Sequence, residues 1–105
     1  MDVRKLIGQR IKEYRLKKDL TQSQLSEIIG IDAKYMSNIE RGRNMPNPNI
    51  LSNLAEAFGV EIKDLFEYYH LQEPKDLKID IKNMVDNLDE NQLRQTYKYL
   101  RAFVL

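Results

Sequence analysis

The sequence predicts an all-α protein, and three observations point there. Apolar residues recur at three- and four-residue spacing along most of the chain, and β-branched alternation of the kind a half-buried strand shows is nearly absent. Glycine and proline are scarce, 4 and 3 in 105 residues. Leu, Ile, Glu, Lys, Arg and Gln, which favour helices, supply much of the remainder. The expected architecture is a five-helix bundle over residues 1–70 followed by a helical hairpin over residues 71–105.

Val3, Leu6, Ile7, Ile11, Tyr14 and Leu16 predict a first helix from about Asp2 to Lys18, with Leu20 closing it onto the core. Arg4, Lys5, Arg10, Lys12, Lys17 and Lys18 make its other face strongly basic. Thr21 is a good N-cap, and Gln24 can reach back to complete a capping box, so a second helix starts at Gln22. Leu25, Ile28 and Ile29 form its buried stripe. Gly30 stands where a left-handed residue ends a helix, and Ile31 follows as an apolar plug. Asp32 caps a third helix that points Met36 and Ile39 inward and leaves Ala33, Lys34, Ser37, Asn38 and Arg41 on the other side. Residues 43–46 form a loop, and Asn47 caps a fourth helix with Pro48 at its first position. Ile50, Leu51, Leu54, Ala55 and Phe58 are its apolar face, and Gly59 ends it. Val60, Ile62, Leu65 and Phe66 fit a short fifth helix with Glu61, Asp64 and Glu67 outside.

After Tyr68-Tyr69-His70 the chain changes character, and Gln72-Glu73-Pro74 marks a linker or sharp turn. Leu77, Ile81, Met84 and Leu88 form a heptad-like stripe. Asp89 caps a further helix with Gln92 at its third position, and Leu93, Tyr97, Leu100 and Val104 repeat the spacing. A hairpin of this length cannot bury both seams by itself. Its expected partner is a second copy in a homodimer, with docking on its own N-terminal domain as the alternative.

With no cysteine, disulfides and thiolate metal sites are excluded. No apolar run approaches the roughly 18 residues needed to cross a bilayer, and the N-terminus lacks a signal peptide's apolar stretch, so a cytoplasmic protein without membrane partners is expected. His70 is the single histidine and reads as an ordinary surface residue; no metal or cofactor is expected. Glu61, Asp64 and Glu67 read as a solvated acidic face, and no Gly-rich phosphate loop or nucleophile elbow is present, so an enzyme is not expected. Tyr68, Tyr69, Tyr97, Tyr99 and Phe103 fit core and seam packing better than stacking on bases or a ligand. The formal net charge of +1 conceals a polarity: residues 1–45 carry ten basic against six acidic side chains, +4, and residues 46–105 seven against ten, −3. A basic N-terminal half suits a polyanion, with the acidic half facing away.

Two short helices joined at Gly30, the second with small and polar residues on its outer face, have the form of a unit that lays its second helix in a DNA major groove. Ile11, Arg15, Leu20-Thr21-Gln22, Leu25, Gly30, Ile31, Met36, Ile39-Glu40-Arg41-Gly42, Pro46, Leu54-Ala55 and Phe58-Gly59-Val60 carry a more specific likeness. On these marks residues 4–66 resemble the phage-repressor, Cro-like (Xre) helix-turn-helix family, whose domain is a five-helix, lambda-repressor-like bundle that binds DNA. Ser26 departs from the family's usual alanine; it is also small, so only its hydroxyl needs a partner.

The resemblance implies roles. Gln22 would lie along the DNA backbone, and Ala33, Lys34, Ser37 and Asn38 would face base edges. Lys34 suits guanine O6 and N7, Asn38 adenine N6 and N7, and the Ala33 methyl a thymine methyl. Tyr35, Arg43, Asn44 and Arg10 are candidates for phosphate contacts that position without reading sequence. Arg15 would pair with Glu40 as an internal salt bridge. The expected function is a sequence-specific, double-stranded-DNA-binding transcriptional regulator, a homodimeric repressor on a palindromic operator. The alternative is an antitoxin-like or regulatory subunit that holds a protein partner through residues 71–105, with DNA binding secondary.

Overall fold

The computed structural model describes residues 2–104, which are all-helical. Six α-helices follow in order: α1 Val3–Lys17, α2 Gln22–Ile29, α3 Ala33–Glu40, α4 Pro48–Phe58, α5 Pro74–Asp86 and α6 Glu90–Val104, with short 3₁₀ turns at Ile62–Phe66 and Tyr69–Leu71 between α4 and α5. The chain divides into two compact units between Gln72 and Glu73. None of the described helices is long and apolar enough to cross a membrane.

In the first unit α1 to α4 and the Ile62–Phe66 turn enclose one core. Ile7 and Ile11 of α1, Leu25 of α2, Met36 and Ile39 of α3, Leu54 of α4 and Leu65 of the turn are completely buried. Caps set the helix starts. Asp2, Asp32 and Asn47 each accept the backbone N–H three residues on, and Thr21 and Gln24 form a reciprocal capping box at 3.0 and 2.9 Å. Gly30 and Gly59 close α2 and α4 in the left-handed conformation. At the end of α1 that conformation falls on a non-glycine residue, Asp19, whose φ is 55°.

Three sequence expectations change. Leu16 and Ile28, read as core, are more than half exposed, while Ser26 is buried in place of Ile28. The fifth helix is a single 3₁₀ stretch in which only Leu65 is buried. Finally, the acidic surplus does not lie in the C-terminal unit, where residues 73–104 carry six acidic and six basic side chains; it lies at Glu56, Glu61, Asp64 and Glu67 of the first unit.

Glycine 8 determines how closely α1 approaches α3. A Cβ there would lie 2.7 Å from the Glu40 carbonyl oxygen and closer still to that of Ile39, so only a bare Cα fits. The second unit consists of α5 and α6, in neither of which a described residue is buried, and the two helices do not pack on one another along their length as a hairpin would. Ile81 and Met84 of α5, and Leu93, Tyr97, Leu100 and Val104 of α6, stand about half exposed or more.

Candidate nucleic-acid interface

The corner between α2 and α3 is tight because two successive amides, those of Gly30 and Ile31, both donate to the Ser26 carbonyl at 2.9 and 3.0 Å. Asp32 then starts α3 by accepting the Tyr35 N–H at 2.7 Å. Burying Met36, Ile39 and Glu40 on one side of this eight-residue helix turns Lys34, Asn38 and Arg41 to the opposite side, flanked by Ala33 and Ser37. Ala33, Lys34 and Arg41 are exposed, Ser37 and Asn38 are half-buried, and Tyr35 is half-buried against the core.

The end of α3 brings the loop residues to the same place. Gly42 is left-handed, with φ 78°, and its N–H donates to the Ile39 carbonyl at 3.0 Å while the Arg43 N–H donates to the Asn38 carbonyl at 2.9 Å. This is the paired pattern of a Schellman cap. The Asn44 amide also points to the Asn38 carbonyl, at 3.4 Å. Arg43 and Asn44, both exposed, therefore follow α3 on a pinned turn. A Cβ on Gly42 would come within 2.6 Å of the Lys5 Cα, so the first turn of α1 lies directly against this loop. Lys5 is exposed and forms no ion pair with the described residues.

Behind this surface, Arg15 and Glu40 form a buried bidentate pair, Nε to Oε2 at 2.7 Å and Nη2 to Oε1 at 3.1 Å. Arg15 Nη1 also donates to the Leu20 carbonyl at 2.7 Å, tying α1 to the corner before α2. Gln22 adds its own bond, Nε2 to Glu40 Oε1 at 3.1 Å.

Arg10 is a correction. It is buried, and its guanidinium is spent internally: Nε donates to the Asp64 carbonyl at 3.1 Å, Nη2 to the Tyr14 hydroxyl at 2.8 Å, and Nη1 pairs with Glu13. The guanidinium also lies 4.3 Å from the centre of the Tyr14 ring. It holds the 3₁₀ turn onto α1 and has no free face for a phosphate. His70 is exposed but engaged, with Nε2 3.2 Å from Glu13 Oε2. Partial burial raises the Glu13 pKa, but the hydrogen bonds and charges of Arg10 and His70 outweigh it, so the carboxyl sits below its ordinary value of 4.5. Leu93, Tyr97, Leu100 and Val104 lie in the other unit, along one face of α6.

Residues 11–65, just over half the chain, match the family model described as helix-turn-helix. The chain belongs to the Cro/Xre-type helix-turn-helix family. This Cro/Xre-type chain is 40% identical over 65 residues to an uncharacterized HTH-type transcriptional regulator, y4dJ, of Sinorhizobium fredii, a match covering 62% of this chain and 84% of that one. It is 30% identical over 95 residues to the immunity repressor protein of Bacillus phage phi105, covering 81% of this chain and 66% of the repressor. Among solved structures it resembles SinR, the master regulator for biofilm formation, in complex with DNA, with a TM-score of 0.55, 35% identity, and coverage of 58% of this chain and 98% of that one. The complex of SinR with SinI matches more of the chain, 90% of it and 94% of the other, with a TM-score of 0.58 and 29% identity. Two features of the Cro/Xre-type surface escape a motif reading. Lys5 is one basic residue among several on α1 until Gly42 is seen packed against it, and the Gln22–Glu40 bond spans 18 positions with no periodic signal.

Proposed function

We propose that this protein is a sequence-specific, double-stranded-DNA-binding transcriptional repressor that acts as a homodimer on a palindromic operator. The observation that carries the reading is the outer face of α3: Ala33 and Lys34 are exposed, Ser37 flanks them, and Arg43 and Asn44 are pinned beside them through the Asn38 carbonyl. A short helix with a free polar face next to basic loop residues supplies base-edge readers and phosphate contacts on one rigid body. Lys34 donates to guanine, Ser37 and Asn38 to base edges within reach, and the Ala33 methyl meets a thymine methyl. Gln22, Tyr35, Arg43 and Asn44 hold the backbone. The likeness to a phage immunity repressor and to a regulator solved on DNA supports this assignment.

The exposed seams of the second unit support dimerisation, with half-sites about one helical turn, roughly 34 Å, apart. Selecting bound sites from random duplex DNA should return a palindrome with that spacing. Lys34→Ala then relaxes base preference, whereas Arg43→Ala weakens all duplexes about equally and lowers the salt slope by about one. A Lys34→Ala protein with unchanged affinity and selectivity would remove Lys34 from the readers.

A second reading draws on the same seams: an antitoxin-like or regulatory subunit that holds a different protein through residues 71–105. The match to SinR bound to SinI over 90% of the chain favours it. Sedimentation separates the two readings, since a monomer at micromolar concentration supports the second and a tight dimer that shifts a palindromic duplex supports the first.

A further inference from the structure

We infer that Glu40 is a positioning residue for DNA contact: it orients the Gln22 amide that meets the DNA backbone, in addition to pairing with Arg15. The inference rests on the reading of Gln22 as a backbone contact. Glu40 is 6% exposed at the end of α3, and Gln22 is the first residue of α2, half-buried at the surface. Both Glu40 oxygens are held by Arg15, whose third nitrogen is fixed by the Leu20 carbonyl, so the carboxylate has one orientation set by the core. Its Oε1 takes a second hydrogen bond, from Gln22 Nε2 at 3.1 Å.

A carboxylate only accepts, so this contact decides which end of the Gln22 amide turns inward. The nitrogen keeps one N–H for Glu40 and has a second to offer outward. The Thr21–Gln24 capping box closes the turn that carries Gln22, and the Ser26 hydroxyl donates to its carbonyl. A free glutamine side chain loses rotamer freedom when it grips a phosphate; here that loss is taken during folding. Prior immobilisation of this kind is equivalent to between about twofold and tenfold in affinity. The Arg15 pair holds α1 to α3 without Gln22; the additional bond joins the start of α2 to the end of α3 and fixes an amide at the surface.

A double-mutant cycle tests this, with binding to the selected operator duplex and thermal unfolding measured for wild type, Gln22→Ala, Glu40→Gln and the double variant. Glu40→Gln should weaken binding severalfold beside Gln22 and less than about 1.5-fold beside Ala, while lowering the melting temperature in both backgrounds through the weakened Arg15 pair. An equal loss of affinity in both backgrounds overturns the inference, because Glu40 would then act only through the fold. If Glu40→Gln does not fold, side-chain ¹⁵N relaxation in the DNA-free wild type decides: the Gln22 amide should be more restricted than that of exposed Gln95, and equal mobility overturns the inference. A Gln22→Ala protein with undiminished affinity removes the backbone-contact reading itself, a failure visible before Glu40 is changed.

Discussion

Ser26 shows how one side chain resolves a local conflict. It is 2% exposed, and its hydroxyl donates to the Gln22 carbonyl one turn back at 2.6 Å, an oxygen that also takes part in the helix ladder. Such back-bonding satisfies a buried hydroxyl with little net gain. Ser26→Ala should therefore change stability by no more than about 0.5 kcal/mol, with alanine's helix propensity offsetting the lost bond; a calorimetric loss above about 1.5 kcal/mol would show that the hydroxyl matters more. Glu13 gives a pH dependence. Its folded pKa lies below the unfolded value, so its contribution is complete above that value and fades as pH falls through the lowered one. Glu13→Gln should flatten the acid limb of the stability profile below about pH 4.5, by under about 1 kcal/mol because the pair is partly solvated. Denaturant titrations at pH 3 and pH 7 measure it. Arg10 resists a sequence reading for a related reason: a basic residue on a basic helix gives no hint that a distant carbonyl, that of Asp64, claims its guanidinium.

At the scale of elements, the order of α1 to α4, the starts of α2, α3 and α4 and the ends of α2 and α4 are legible in the sequence because caps and left-handed glycines are local signals. Where the fold departs from the apolar pattern, angular position on the helix overrides apolar identity. Leu16 lies nine residues after Ile7, half a turn round α1 from the core. Ile28 fits the α2 stripe by spacing, but that helix buries the face shared by Leu25 and Ser26. Asp19 was not legible as a helix end, since φ 55° is a conformation glycine usually supplies. Nor was Gly8, whose significance depends on α3 crossing it. Gly8→Ala should push α1 off the Ile39 and Glu40 carbonyls and cost about 1–3 kcal/mol, even though alanine is the better helix former. Chemical denaturation of the variant checks it, and unchanged stability would mean that the two helices can separate freely.

Over the whole molecule, the first unit encloses its core while the second leaves both helices without buried residues. If the α6 face mediates pairing, Leu100→Asp should give a monomer with the melting transition of the first unit unchanged and operator affinity reduced by about a hundredfold, since half-sites would be bound singly. Analytical ultracentrifugation and mobility shifts on the same preparations check both parts. The seams themselves were visible as heptad-like spacing, but their occupant was not, because a stripe records that something apolar is needed without recording what. The face of α3 has an opposite economy: Ala33 and Lys34 project from a helix anchored by Met36, Ile39 and Glu40 and take no part in the core. Substitutions there touch no core residue, so on the proposed reading base preference can change while the scaffold keeps its packing. On that reading, recognition and stability rest on different side chains even in a domain this small.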